Sequence, residues 1–199
     1  MAPKPKLEPN RTALLCMDYQ SAIVAAYGGD GADELLSRAA DVLARARAAG
    51  IIVIYVQVGF RPGFPEISDR NPLFNTVKND PERRKMFEGP AREIHTAVAP
   101  QDGDIVVPKH RVSAFAGTDL DMILRANDID TLVLFGIATS GVVLSTLIHA
   151  VDEDYKIFVI EDLCVDGDQD LHASLMRFYA RRGTVISSTE FIVGMSASK

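Results

Sequence analysis

The sequence predicts a three-layer α/β domain of Rossmann-like architecture: a six-stranded parallel sheet with helices on both faces. Short runs rich in β-branched residues alternate with helical patterns, the order that a helix-covered parallel sheet requires. The run at 51–58 is near-continuously apolar, the signature of a strand buried on both faces. A length of 199 residues with 47% hydrophobic content suffices for one substantial core and is short for two.

Residues 12–18 (TALLCMD) read as the first strand. A helix follows over 33–49, where Leu35, Leu36, Ala39, Val42, Leu43 and Ala46 recur at three-to-four spacing and Gly50 stops the run. Residues 51–58 (IIVIYVQV) form the next strand, central or nearly so. From 59 to 90 the pattern breaks down. Pro62, Gly63, Pro65, Pro72, Pro81, Gly89 and Pro90 punctuate a segment too long for an ordinary connector, and such insertions tend to be functional. A helix over 91–98 leads to a third strand at 104–108, with Lys109 directly after it. Helix 118–127, strand 131–135, helix 141–153, strand 156–160, helix 168–182 and strand 184–188 complete the series. No repeat, low-complexity tract or linker interrupts it, so 11–190 is expected to be a single domain with 1–10 and 195–199 as loose ends.

A net charge of −6 with scattered Lys and Arg argues against nucleic acid and against a polybasic membrane patch, leaving a small-molecule partner. No apolar run approaches the roughly 20 residues that span a bilayer, and MAPKPKLEPNR has no apolar stretch to act as a signal peptide. A cytoplasmic protein is expected. Cys16 and Cys164 lie in or beside apolar strands and read as reduced packing residues. His95, His110, His149 and His172 never fall at metal-ligand spacing, so neither a metal nor a cofactor is expected.

In open α/β sheets ligands bind beyond the carboxyl ends of the strands, where strand order reverses. Asp18 after the first strand, Lys109 after the third and residues 136–142 after the fourth therefore meet at one rim. The segments LLCMDYQ around Asp18, VPKHRVSAF around Lys109, and GIATSGVVLSTLIHA followed by DYKIFVIEDLC resemble, in order and spacing, the three signature regions of the isochorismatase-like or cysteine hydrolase superfamily. The resemblance covers about residues 11–190 and implies the isochorismatase-like hydrolase fold and a homo-dimer or homo-tetramer. It also implies an Asp–Lys–Cys site in which the cysteine attacks an amide or imide carbonyl while the aspartate shuttles its proton, and a cis peptide at Ile137–Ala138. The metal triad of some nicotinamidase relatives has no counterpart here. The family pattern G-x-x-T-x-x-C-V reads here as Gly136, Ile137, Ala138, Thr139, Ser140, Gly141, Val142, Val143. Val142 thus stands at the nucleophile position. It has no lone pair, so the thiolate mechanism does not transfer.

Three residues are candidates for a relocated nucleophile. Ser145 lies one helical turn on, roughly 5 Å along the axis, where a helix serine more often bonds back to a carbonyl. Ser140 is expected at the pocket, but at a helix N-cap that would occupy its hydroxyl. Cys16 points to the same strand face as Asp18, one pleat deeper. The remaining groups are still capable of chemistry. Burial raises the pKa of Asp18 and Lys109 lowers it, and where burial wins Asp18 is a general acid. Backbone N–H groups of Ala138, Gly141 and Val142 at a helix mouth are candidate anion or oxyanion donors. The true isochorismatases also lack the cysteine. Resemblance to them implies that the aspartate protonates a vinyl ether, water adds to the oxocarbenium ion, and the hemiketal falls to an alcohol and pyruvate. The run from Gly136 resembles a less-characterised cysteine-lacking branch more than those enzymes, so the substrate stays open. The leading expectation is a hydrolase of a small organic substrate using Asp18 and Lys109 without covalent catalysis. The alternatives are an amide or imide hydrolase with a relocated nucleophile, and an inactive ligand-binding member.

Tyr19, Gln20 and Phe115 are expected in the pocket wall. His110 is a rim or surface residue. Arg111 is set for a substrate carboxylate or a helix end. The stretch Arg61, Pro62, Gly63, Phe64 reads as a lid or a subunit contact, and residues 82–85 (ERRK) as a solvated helix face.

Overall fold

A computed structural model describes residues 7–196. In chain order its elements are β1 (Thr12–Met17), α1 (Ser21–Tyr27), α2 (Ala32–Ala48), β2 (Ile52–Val58), α3 (Pro72–Asn79), α4 (Pro81–Lys85), β3 (Ile105–Lys109), α5 (Leu120–Ala126), β4 (Thr131–Gly136), α6 (Leu144–Asp152), β5 (Lys156–Ile160), α7 (Gln169–Tyr179), β6 (Thr184–Ile186) and α8 (Ser188–Ser196). The six strands form one sheet in the order β3-β2-β1-β4-β5-β6, every pairing parallel. The chain steps outward from β1 to β3, returns to the other side of β1 as β4, and steps outward again to β6. The reversal opens a crevice beyond the carboxyl ends of β1 and β4.

Burial follows from this order. β1 and β4, the central pair, are buried at every residue, which is why their sequences show no alternation. α2 covers the sheet with Leu35, Leu36, Ala39, Val42, Leu43 and Ala46, the residues picked out by helical spacing. Gly50 then turns the chain back at φ +78, a left-handed value that favours glycine. Cys16 and Cys164 are both buried and free. Among the described residues no helix is long and apolar enough to cross a membrane.

Several boundaries differ from expectation. The helix expected at 91–98 is instead two short 3₁₀ turns, Gly89–Arg92 and Thr96–Val98. Between them Ile94 bridges antiparallel to Gln20, with Ser21 N–H donating to Glu93 O and His95 N–H to Tyr19 O. This pairing draws the backbone out of the helical range, so tertiary contact overrides local propensity. β3 runs one residue further than expected and includes Lys109. The helix expected from 141 starts as a π-helical turn, Thr139–Val143, before α6. β6 stops at Ile186, and Ser188 opens α8 with its N–H and hydroxyl on the Asp162 carboxylate. α1 and α3 were not anticipated. α4 carries the ERRK stretch, which is exposed as expected.

Residues 1–6 and 197–199 of the expected loose ends lie outside the described residues. Within 7–10, Leu7 is anchored in the core, while Glu8 and Asn10 are exposed. The Thr12 hydroxyl donates to Glu8 O, and Arg11 pairs with Asp130 at 2.6 Å.

Candidate functional site

Asp18 directly follows β1 and has φ +58, a left-handed conformation uncommon outside glycine. Lys109 ends β3, two strands away. Its Nζ lies 2.8 Å from Asp18 Oδ2 and donates to Arg111 O at 3.1 Å, so the ion pair spans the carboxyl end of β2. Both residues are buried, at 5% and 2% exposure. The second carboxyl oxygen, Asp18 Oδ1, is buried with no hydrogen-bond partner among the described residues. An unpartnered buried carboxylate oxygen is costly, and protonation relieves that cost. Burial accordingly pushes the Asp18 carboxyl above its ordinary 3.8 despite the opposing pull of Lys109. The competition left open by the sequence is won by burial.

The third part of the site is the connection from β4 to α6. A Cβ on Gly136 would lie 2.8 Å from Met17 O and 3.2 Å from Val142 Cγ1, so only glycine lets β1, β4 and the following turn approach this closely. The Ile137–Ala138 peptide is cis. The turn is held from behind. Thr139 N–H donates to Val165 O at 2.8 Å, Tyr179 Oη donates to Thr139 O at 2.7 Å, and Thr139 Oγ1 lies 2.9 Å from His172 Nδ1. Ser140 N–H is capped by the Asp166 carboxylate at 2.7 Å. The cap expected of the Ser140 hydroxyl is thus supplied by Asp166. Of the expected anion donors, the Gly141 N–H is already committed to Ala138 O at 3.1 Å. The Ala138 N–H has no acceptor among the described residues.

These parts face one cavity of about 510 Å³. Its floor is Asp18, Lys109, Ile137, Ala138, Gly141 and Val142, with Val58 and Val112 alongside. Its outer wall is Ile23, Ala26 and Tyr27 of α1, Leu73, Phe74 and Val77 of α3, Arg83 of α4, and Met86 and Phe87. Among the described residues no serine, threonine, cysteine or histidine lines it. The outer wall was missed from sequence. Two signals could have found it: the three-to-four spacing of Leu73, Phe74 and Val77, and Asp80-Pro81 as N-cap and first turn, whose carboxylate caps Glu82 and Arg83 N–H.

Four expected pocket residues are not on this cavity. Tyr19 is buried edge-on against Phe135 with its hydroxyl donating to Leu163 O at 2.8 Å. Gln20 is fully buried. Its amide donates to Val58 O and Arg92 O and accepts from Val58 N–H, tying the end of β2 to the following segment. A buried amide must find such partners, and these are backbone. Phe115 stacks on His149 at 4.6 Å under α6. Ser140 is fixed at the back of the turn and lies outside the lining. The other nucleophile candidates, Ser145 and Cys16, are also absent from the lining. Burial pushes the Cys16 thiol well above its ordinary 9.0, and that of Cys164 up to about 12. His110 Nδ1 is 2.6 Å from Gly59 O, and Arg111 donates to His110 O and Glu66 O. In the Arg61–Phe64 stretch, Phe64 packs against Phe60 and Arg61 pairs with Glu66. Among the described residues no group of three or more His, Cys, Asp or Glu side chains comes together to hold a metal ion.

The isochorismatase domain family model matches residues 12–191. A maleamate amidohydrolase of Pseudomonas putida is 30% identical over 182 residues, covering 89% of this chain and 83% of the relative. A ureidoacrylate amidohydrolase of Azorhizobium caulinodans is 36% identical over 170 residues, covering 76% and 74%. Among solved structures, a cysteine hydrolase from Pseudomonas syringae superposes with TM-score 0.84 at 25% identity, covering 97% of this chain and 96% of that one.

Proposed function

The chain is a hydrolase of the isochorismatase family, and from that membership we propose that it opens a small enol ether, or a related C–O or C–N bond, by acid catalysis from Asp18 with Lys109 and without a covalent enzyme intermediate. One observation carries the reading. The cavity floor presents a buried carboxyl with an unpartnered oxygen beside an ammonium, and among the described residues no serine, threonine, cysteine or histidine lines the cavity to stand in for the thiol. The two amidohydrolase relatives are named for amide substrates. Here the position of the attacking thiol is Val142, so amide hydrolysis through a relocated serine or cysteine has no side chain on this cavity to perform it.

The chemistry follows from the geometry. Asp18, protonated at Oδ1, gives its proton to the terminal carbon of the enol-ether double bond. The alkene electron pair forms the new C–H bond, and an ether oxygen lone pair makes the oxocarbenium ion. Water adds to the oxygen-bearing carbon of that ion and returns a proton to the Asp18 carboxylate, restoring the acid. The hemiketal then collapses, its hydroxyl proton passing to the departing ether oxygen, to leave an alcohol and a ketone. Between the two transfers Asp18 is anionic, and Lys109 at 2.8 Å stabilises it. The Ala138 N–H, which has no acceptor among the described residues, is the backbone donor toward the departing ether oxygen.

A panel of enol ethers assayed for ketone release tests this. Turnover that vanishes in Asp18→Asn and survives iodoacetamide is expected. Full activity in Asp18→Asn contradicts it.

A further inference from the structure

The outer wall of the cavity is chemically unlike its floor, and the difference defines a ligand class. We propose, on the reading that this cavity is the reaction site, that it takes a monoanionic substrate with an extended apolar body, its single carboxylate held by Arg83 at the mouth, away from the bond that breaks.

Few charges reach the cavity. Among the described residues, the lining carries one carboxyl group, Asp18, and two cations, Lys109 and Arg83. Lys109 is committed, at 2.8 Å to Asp18 and 3.1 Å to Arg111 O. Arg83 is held loosely: its contacts are long, 3.6 Å from Nε to Asp80 and 3.5 Å to the Thr76 hydroxyl, and Asp80 already caps α4. A guanidinium in that state, at the mouth of a cavity, has donors left for a carboxylate. The lining that shares the outer wall with Arg83 is largely apolar: Ile23, Leu73, Phe74, Val77, Met86 and Phe87. Leu73 and Tyr27 are 54% and 41% exposed, large apolar side chains left in solvent at the cavity rather than in the core. The volume of about 510 Å³ lies within the range of about 300–1,000 Å³ of small-molecule sites. A second carboxylate on the body would be desolvated against these walls with no uncommitted cation to meet it. The site therefore selects against dicarboxylates.

The test is equilibrium binding to the wild-type chain at low salt, by calorimetry, with probes that cannot be hydrolysed. Phenylbutyrate is expected to bind about tenfold or more tighter than acetate and about tenfold tighter than benzylsuccinate. Arg83→Ala should weaken phenylbutyrate about fivefold and Arg83→Lys less, while neutral phenylbutanol changes by less than about twofold. Arg83 is exposed, so the variants keep the fold. Equal binding of benzylsuccinate, indifference of phenylbutyrate to Arg83→Ala, or failure of phenylbutyrate to bind would each overturn the proposal. Binding does not depend on the chemistry. If these affinities hold and no enol ether turns over, the catalytic reading fails and the ligand class stands.

Discussion

The floor and the outer wall of the cavity are held in different ways. On the floor, Asp18 and Lys109 stand at the ends of two sheet strands, and the turn at Thr139 is fastened by Val165, His172, Tyr179 and Asp166. The outer wall comes from short helices, two of them in a proline-punctuated segment. Aromatic packing holds that segment, with Phe60 against Phe64, Phe74 and Phe87 at 5.5–5.6 Å and Arg84 over Phe64. Reacting groups need placement within tenths of an ångström, which strand ends provide. A wall that selects the substrate needs shape and polarity, and it can vary without disturbing the chemistry.

The largest effects should come from the floor. Asp18→Asn is expected to lower kcat by a factor of about 10³ or more in the ketone-release assay, because it removes the acid of the proposed mechanism. Lys109→Met should abolish most turnover and lower stability by roughly 3 kcal/mol at pH 8, measured by urea unfolding. The stability loss should shrink at low pH, where Asp18 is neutral and leaves no bare buried charge.

The pH dependence carries a definite sign. The Asp18 carboxyl is raised above 3.8 in the folded chain, so between the unfolded and folded values the native state binds more protons. Stability therefore falls as pH rises through that window, and Asp18→Asn should remove this component of the slope. On the proposed mechanism, which uses the protonated carboxyl, kcat should fall over the same limb.

Val142→Cys sharpens the contrast by placing a thiol on the floor. Iodoacetamide should then label the folded variant at position 142 within minutes, as read by peptide mass. In wild type, Cys16 and Cys164 are buried and their thiols are pushed up, and both should stay unlabelled. Rapid labelling of native wild type would break the picture of a thiol-free cavity. The smallest effect belongs to the outer wall. Leu73→Ser should change stability by no more than about 0.5 kcal/mol, since Leu73 is 54% exposed, while raising KM for an apolar substrate severalfold.

The same division separates the parts of the molecule that were legible in the sequence from those that were not. The sheet could be read because buried parallel strands leave nearly continuous apolar runs such as 12–17 and 52–58, and the floor because Asp18 and Lys109 stand at strand ends, and Val142 in the turn after β4, within recognisable motifs. Tyr19, Gln20 and Phe115 were misplaced because neither adjacency to Asp18 nor a place in the run after Lys109 sets side-chain direction. The positive φ of Asp18 redirects the two residues after it, and Gln20 answers backbone groups at Val58 and Arg92 far away in sequence. The outer wall was harder to read because α1, α3 and α4 span only 7, 8 and 5 residues, so that signals such as the spacing of Leu73, Phe74 and Val77 are brief. Likewise the unpartnered Oδ1 exists only once three strand ends have met.

Whether a bond to the protein ever forms during catalysis can be read from the intact mass of enzyme quenched in steady turnover. An unchanged mass at every time point, while ketone accumulates, is the predicted result. A transient adduct of substrate mass on any serine or cysteine would contradict it.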